Sequence, residues 1–215
     1  TEISGTLKIN VPISYGRLYI RPLIAPFCKA HPNIVIDITY DDAYVDIIEK
    51  GIDITFRSGA IADNRLIARK LSPLDFLICT PKNYFPTNQH IQLPNDILHH
   101  PWINFRFKQT GKIMPVIINN DGQITEHYTD SLCIIDDGEA LAELCADGAG
   151  LAQMPHFVAR KWLLNQQIDA LNHVYTSEQF SVYALYTKMK TTPPKVLAFI
   201  QFVQDWLSSI GETPN

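Results

Sequence analysis

The segment from residue 37 to residue 59 limits the possible folds more than any other part of the chain. It reads as a strand, a short helix closed by Gly51, and a second strand that ends in Arg57. Strand and helix alternating at this rate predict a βαβ unit and a parallel sheet. Open α/β sheets bind their ligands at the carboxyl ends of the strands. The segment therefore predicts a binding cleft near Arg57.

The chain before this segment shows the same alternation. Residues 6–11 alternate between polar and apolar side chains, which predicts a strand. Ser14 is a suitable N-cap for the next helix, which we expect to run to about His31. Pro22 and Pro26 are expected to split or kink this helix.

The short helix inside the segment is predicted to begin at Asp41 or Asp42, directly after a strand at residues 34–40. Gly51 ends this helix, and residues 52–57 form the next strand. The apolar side chains of the helix are expected to face inward: Val45, Ile47 and Ile48.

The middle of the chain is less periodic. Residues 66–79 suggest a longer pair of strands that leads to Thr80, and residues 102–105 are predicted to form a strand. The sequence Asn120-Asp121-Gly122 is a strong hairpin signal between strands at 114–119 and 123–128.

The alternating order returns in the last third of the chain. Asp136, with Glu139 three residues later, resembles a capping box at the start of a helix. A strand is predicted at residues 151–155, and another at 180–186. The clearest helix opens at Pro193-Pro194 and repeats apolar residues at helical spacing.

These elements predict an α/β fold of two Rossmann-like lobes joined by a double-strand hinge, which resembles the type 2 periplasmic binding proteins. We expect residues 1–80 and 181–215 to form lobe I, and residues 81–180 to form lobe II. Thr80 lies at the first crossing. Two crossings make a hinge, and a hinge between two lobes makes a ligand-binding cleft.

Composition limits the function classes. The 215 residues carry a net charge of −4, so this chain itself is not expected to bind the phosphate backbone of a nucleic acid. No apolar run reaches membrane-spanning length, and no signal peptide opens the chain. The chain enters a strand at once and lacks an initiator Met, so we expect a fragment of a longer protein or a processed mature form.

The four cysteines have no metal-ligand spacing, and they are interpreted as packed, reduced thiols of a cytosolic protein: Cys28, Cys79, Cys133 and Cys145. Cys133 and Cys145 are close enough in sequence for a redox pair to be the alternative. Neither has a neighbouring Lys or Arg in sequence that would favour the thiolate.

Short motifs along nearly the whole chain resemble the effector-binding domain of LysR-type transcriptional regulators. Residues 45–59 resemble the family's "vDLv-x-x-GfDlaiR-x-G". Further matching motifs lie at residues 5–17, 27–32, 66–71, 78–84, 137–141, 148–155 and 195–200. The order and spacing of these motifs together make the resemblance specific. Asp136 is a departure, because the family often has Asn there, and its extra carboxylate argues against a strongly anionic effector.

The resemblance implies a regulatory domain that binds a small metabolite in the cleft between the lobes and controls promoter binding or activation by the full-length protein. It also implies a cytoplasmic homodimer and no membrane partner. For the full-length protein, a tetramer is the alternative. Promoter DNA would be contacted only through an N-terminal helix-turn-helix domain that this chain lacks. The alternative is a periplasmic-type solute-binding protein for transport, which shares the fold.

The candidate effector-binding residues are predicted at strand ends, helix starts and the crossing: Ser14, Tyr15, Arg57, Ser58, Thr80, Phe105, Arg106, Asp136, Met154 and Pro155. Arg57 can clamp a carboxylate with two hydrogen bonds, or it can form a surface or inter-lobe salt bridge. Amide N–H groups at Ser14 and Tyr15 suit an anion, and an ordinary N-cap is the other interpretation.

The second-lobe candidates have alternatives of the same kind. Phe105 offers a stacking face and Arg106 a second cation, whereas Phe105 is equally interpretable as plain core. By resemblance, Met154 and Pro155 line the opposite wall. Thr80 either touches ligand or only forms a hydrogen bond within the hinge.

Catalytic and metal-binding patterns are missing from the sequence. There is no Gly-x-Ser-x-Gly elbow and no phosphate-binding Gly-x-x-x-x-Gly-Lys loop. The pair His99-His100 lacks the frame of a metal site. Asp41-Asp42 and Asp136-Asp137 are interpreted as helix caps, so we expect no enzyme activity, no cofactor and no metal.

Overall fold

The computed structural model describes residues 2–59, 62–87, 89–92 and 94–214, and at residues 172–179 it describes the backbone alone. The chain divides into two compact units. The first unit comprises Thr1–Leu74 and Ser177–Asn215, and the second comprises Asp75–Thr176.

The strands are β1 (Gly5–Val11), β2 (Ile34–Tyr40), β3 (Ile54–Ser58), β4 (Leu66–Pro81), β5 (Trp102–Phe105), β6 (Val116–Asn120), β7 (Gln123–His127), β8 (Ser131–Ile135), β9 (Leu151–Pro155) and β10 (Ile168–Thr187). The helices are α1 (Ile13–Tyr15), α2 (Arg21–Ala30), α3 (Gly138–Ala146), α4 (His156–Leu164) and α5 (Pro194–Ser209). A π-helical turn at Gly16–Ile20 joins α1 to α2.

The first unit is built on the strand order β2-β1-β3-β10. β1 is parallel to both β2 and β3, which confirms the predicted parallel sheet, and β10 runs antiparallel to β3. Aromatic rings close its core: Phe199 of α5 lies 5.0 Å from Phe27 of α2 and 6.3 Å from Phe56 of β3, between ring centroids. α5 confirms the predicted final helix.

The first helical segment begins differently from the prediction. Pro12 occupies the N-cap position and has no side chain that can cap the helix, so the assignment of this role to Ser14 is wrong. Proline has no N–H to donate, and its φ near −60° lets the chain enter the helix directly.

Pro22 lies directly after the π-helical turn and the Arg21 amide that closes it. In a π-helical register, the amide of residue 22 would bond to the carbonyl of residue 17, but proline has no N–H. The Nε of Arg21 donates to the Arg17 carbonyl instead, at 3.1 Å. The expected disturbance near Pro22 is therefore a change of helical register.

The short helix predicted between residues 41 and 51 is a turn, and the prediction is wrong. Asp46 is the residue that organises this turn, because its Oδ1 accepts hydrogen bonds from the amides of Ile48 (3.1 Å) and Glu49 (3.2 Å). Such local side-chain bonds compete with helix formation. Ile47 is buried as expected, whereas Ile48 is exposed.

The second unit is built on the strand order β4-β9-β5-β8. β9 is antiparallel to β4 and parallel to β5, and β5 is parallel to β8. β6 and β7 form the predicted hairpin as a separate two-stranded sheet. The core cluster is formed by apolar side chains from several of these strands and from the segment before β5: Ile78, Ile97, Trp102, Val116, Ile118 and Leu151.

Helix α3 is capped one residue later than predicted. The side chain of Asp137, not Asp136, accepts a hydrogen bond from the Ala140 amide at 2.8 Å. Asp136 is thereby left outside the helix, in the turn that follows β8.

Candidate functional site

The carboxyl ends of the parallel strands β1, β2 and β3 meet at one edge of the sheet in the first unit. Val11 of β1 pairs with Tyr40 of β2, and Asn10 of β1 pairs with Thr55 of β3. The helical segment after β1, the loop after β2 and the end of β3 therefore lie side by side. This is the edge at which parallel α/β sheets place their ligand sites.

Arg57 is buried at this edge, with 8% of its surface exposed, and its guanidinium holds together two of these strands and one loop. Nη2 donates to Asn10 Oδ1 at 2.7 Å and to the Ala43 carbonyl at 2.6 Å. Nη1 donates to the Asp41 carbonyl at 3.2 Å. All of these acceptors are uncharged oxygens, so none of these bonds is a salt bridge, and the role of Arg57 as a ligand clamp stays a prediction.

Burial lowers the pKa of Arg57, and the nearby carboxylates of Asp41 and Asp42 act in the opposite direction. A guanidinium remains protonated even when its pKa is depressed. Arg57 therefore supplies a permanent charge beneath the loop at residues 41–43 and fixes that loop to the sheet.

Asn10 completes this network. Its side-chain oxygen accepts from Arg57 and also from the Thr55 hydroxyl at 3.0 Å, and both Asn10 and Thr55 are buried. Buried polar groups of this kind are costly to leave unpaired. Asn10 thus positions the Arg57 guanidinium.

The start of the helical segment after β1 is occupied by a carboxylate of the chain itself. Oδ1 of Asp42 accepts a hydrogen bond from the Ile13 amide at 2.9 Å. Ser14 is half-buried, whereas Tyr15 is almost fully buried. Burial, followed by the charge of Glu212, raises the pKa of the Tyr15 hydroxyl, so Tyr15 is a neutral core residue behind this edge. Ser58, at the end of β3, is exposed.

In the second unit, four predicted residues lie at the corresponding edge of that unit's own sheet. Phe105 pairs with Ile135, and the Arg106 amide donates to the Ile135 carbonyl at 2.7 Å, directly before Asp136. Pro155 ends β9, which is parallel to β5. Arg106 is exposed, while Phe105, Asp136 and Pro155 are half-buried.

Phe105 and Met154 are involved mainly in packing. A cavity of about 10 Å³ lies beside Phe105, Met114 and Gln153, which is space for a single water molecule at most. Met154 is fully buried.

Thr80 lies away from these four residues. In the pairing of β4 with β9, Phe76 is opposite Pro155 and Cys79 is opposite Ala152. Thr80 is therefore about 13 Å along β4 from Phe76, toward the amino end of β9. It borders a different cavity of about 420 Å³, together with Phe85, Ile91, Asp169 and Leu171.

No group of His, Cys, Asp or Glu among the described residues has a geometry that would hold a metal ion. Within the same residues, no helix is long and apolar enough to cross a membrane. The four cysteines are free thiols. Cys145 interacts electrostatically with Cys79, which is a different neighbour from the Cys133 considered in the sequence.

Sequence reasoning missed Asn10 and Asp42 as members of the first-unit edge. The polar Asn10 within the apolar run of β1 was the available signal, because a buried amide needs partners. Asp42 was assigned to the wrong helix, the one that the structure replaces with a turn.

The fold and the two strand-end edges define a class: a ligand-binding α/β domain of the type 2 periplasmic-binding-protein-like fold. Solved structures share this fold. The regulatory domain of AphB from Vibrio vulnificus matches with a TM-score of 0.76 at 20% identity, covering 94% of this chain and 98% of that one. CrgA, a LysR-type regulator from Neisseria meningitidis, matches with a TM-score of 0.76 at 21% identity, covering 95% and 69%.

The chain belongs to the LysR substrate binding domain family, which it matches over residues 1–208. Among curated relatives, the HTH-type transcriptional activator AaeR of Escherichia coli is 25% identical over 212 residues, which are 97% of this chain and 67% of the activator. The chain is thus an effector-binding regulatory domain of the LysR type. Its relatives are transcriptional regulators and not enzymes, and the transport alternative is not favoured.

Proposed function

We propose that a small-molecule effector contacts the carboxyl-end edge of the first unit at Ser14 and Ser58, on a surface fixed by Arg57. The proposal rests on the buried Arg57 network, because the hydrogen bonds of this guanidinium fix the loop at residues 41–43 to the edge of the sheet. Preorganised sites of this kind lose less free energy to ordering when they bind. Tyr15 is buried in the core beneath this surface and contributes packing, not direct contact with the effector.

In the second unit, we propose that the effector contacts Phe105, Arg106, Asp136 and Pro155, because they share one edge of that unit's sheet. Met154 packs beneath them. Thr80 stays a prediction, and so does the placement of the effector in a cleft between two lobes.

A thermal-shift screen of metabolites, followed by calorimetry, tests the contact at Ser58. A ligand that binds the folded chain raises its melting temperature by mass action. Ser58→Trp is expected to weaken binding of any such compound by about tenfold or more. Ser208→Trp, on the exposed face of α5, is the matched control. Equal affinity in wild type and Ser58→Trp, with the fold intact, would show that the effector binds elsewhere.

Regulation follows if the effector binds two arrangements of the full-length protein with different affinity, because only such a difference shifts a population. Promoter DNA is then contacted by a helix-turn-helix domain of the longer protein, as in the HTH-type relatives. Since LysR-type regulators act on DNA, we place the protein in the cytoplasm.

The homodimer is proposed from the edge strands. β2 ends the first unit's strand order and β8 ends the second's, and both expose large apolar side chains: Val35 (62%), Leu132 (60%) and Ile134 (41%). Exposed apolar edges of this kind mark interaction surfaces or aggregation hazards.

Light scattering during size-exclusion chromatography tests the dimer. Val35→Asp and Leu132→Asp are expected to shift the mass from dimer to monomer, because each places a charge in an apolar interface. Leu164→Asp, at an equally exposed position (64%) at the end of α4, should leave the mass unchanged. A wild-type chain that is monomeric at high concentration would refute the homodimer of this domain.

A further inference from the structure

Two of the groups at the first-unit edge that could bind an anion are already bonded to oxygens of the chain itself. The Ile13 amide, the first in the helical segment at residues 13–30, is bonded to Asp42 Oδ1. The Nη atoms of Arg57 are bonded to the side chain of Asn10 and to the carbonyls of Asp41 and Ala43. An anionic ligand would have to break these bonds to use either group.

The Arg57 guanidinium is not only bonded to the chain but also buried, so a ligand has little access to it. Only 8% of the residue is exposed, and its Nε is enclosed and has no hydrogen-bond partner among the described residues. A carboxylate clamp requires the guanidinium to present two N–H groups side by side to the ligand. Arg57 cannot do so while its Nη atoms hold the loop.

Asp42 is held in place by the same network. Arg57 bonds to the carbonyls on either side of Asp42 in sequence, those of Asp41 and Ala43. The Asp41 amide donates to the Val11 carbonyl at 2.9 Å, and the Ala43 amide donates to Asp41 Oδ1 at 2.9 Å. These bonds fix the loop on both sides of Asp42, so its carboxylate is aimed at the Ile13 amide by the fold.

Resting on the function proposed above, we propose that Asp42 is an internal anion that fills this position and that the effector is consequently an uncharged or cationic metabolite. A helix start attracts negative charge, and the Asp42 carboxylate lies at this one. The carboxylates of Asp41 and Asp42 then repel a further anion. Asp42 is a specificity-determining residue, since it occupies the Ile13 amide and adds a negative charge beside the other amides of the helix start.

Acetate rescue of Asp42→Ala tests the proposal, because acetate has the same carboxylate as the deleted side chain. In sodium acetate, compared with sodium chloride at equal ionic strength, the melting temperature of Asp42→Ala is expected to rise. Wild type and Asp42→Asn should not respond, since a side-chain oxygen still accepts from Ile13 in both. Acetamide should not replace acetate. Asp37→Ala, which removes an exposed carboxylate from β2, is the control for net charge.

Two results of the acetate experiment would overturn the proposal: an acetate response in wild type as large as in Asp42→Ala, or no response in Asp42→Ala. If Asp42→Ala is unfolded in sodium chloride, the proposal is still tested, because acetate is then expected to increase the fraction of folded protein. A carboxylate effector whose binding is lost in Ser58→Trp would also overturn it. A metabolite screen without any hit counts against the proposed function alone, because the acetate rescue does not depend on an effector.

Discussion

Arg57 is a buried cation whose bonding partners are neutral oxygens, whereas Arg65 is an exposed cation paired with two carboxylates. Arg65 lies 2.7 Å from Asp63 and 3.3 Å from Asp46, and half of its side chain is exposed. Exposed ion pairs contribute little, but removing a buried donor leaves its acceptors without partners. The number of ion pairs that an arginine forms is therefore a poor guide to how much it contributes to the stability of the fold.

Arg57→Ala is expected to reduce the free energy of unfolding by about 2–4 kcal/mol, because one buried and two part-buried acceptors lose their charged donor. Urea denaturation measures this change. Arg65→Ala is the control and should leave the denaturation midpoint nearly unchanged. A smaller loss for Arg57→Ala than for Arg65→Ala would contradict the structural role assigned to Arg57.

The pKa of Asp63 is lowered to about 2, first by its side-chain hydrogen bond with Arg65. A carboxyl whose folded pKa lies below its unfolded value of 3.8 stabilises the fold above pH 3.8, and this contribution is lost as the pH falls toward 2. NMR titration of the Asp63 carboxyl should show this low pKa in wild type. It should return to about 4 in Arg65→Ala.

Residue identity could be read from the sequence, but residue partners could not. The sequence placed Arg57 at a strand end and predicted a polar role there. Its side-chain acceptor, Asn10, is 47 positions away in sequence, and the pairing depends on the parallel register of β1 and β3. Local patterns carry no information about such a register.

At the scale of elements, predictions succeeded where an apolar pattern or a turn sequence gave a clear local signal. β1, β5, the β6–β7 hairpin and α5 are examples. The predicted helix at residues 41–51 failed because Asp46 forms two local bonds that stabilise a turn instead. Helix α4 was not anticipated, since Pro155 at its N-cap was assigned only to the end of a strand.

The β6–β7 hairpin is attached to the rest of the second unit through Gln153 of β9. The side-chain oxygen of Gln153 accepts from the Ile117 amide at 3.0 Å, and its Nε2 donates to the Ile117 carbonyl at 2.8 Å. This amide therefore pairs with β6 as a neighbouring strand's backbone would.

Gln153→Leu should loosen the hairpin, because both backbone groups of Ile117 lose their partner, at a cost of about 1–3 kcal/mol. Hydrogen exchange should become faster at the Ile117 amide. Gln153→Glu should be worse, since a carboxylate faces the Ile117 carbonyl. Gln201→Leu, at an exposed position of α5, is the control. Unchanged protection at Ile117 would show that the hairpin is held by other contacts.

At the scale of the whole molecule, the four cysteines differ in burial and can therefore report which parts of the chain are closed to solvent. Cys79 and Cys145 are fully buried in the second unit. Burial raises the pKa of both thiols, that of Cys145 to about 12, so both stay protonated and unreactive near neutral pH. Cys28 and Cys133 are half-buried.

A thiol reagent should label Cys28 and Cys133 in the native chain and all four cysteines after unfolding, as mass spectrometry of the labelled peptides would show. The slow labelling of Cys79 and Cys145 then reports opening of the second unit. Labelling of these two at the rate of Cys28 without denaturant would contradict their placement in a closed core.

The division into two units was visible in the sequence as two sets of alternating elements separated by an irregular middle. Its borders were less visible. In the structure the chain divides at Leu74 and Asp75, inside the long strand β4, and again near residue 176, inside β10. A strand that continues through a border has no change of periodicity to mark it.

The discontinuity of the first unit has a consequence for synthesis on the ribosome. The second unit is one contiguous stretch and emerges complete, whereas the first unit must wait for its last helix. Until α5 is released, Phe27 and Phe56 lack the ring of Phe199 that closes their core. A nascent chain therefore holds an unfinished apolar surface for most of its translation, and that surface is where chaperones have reason to bind.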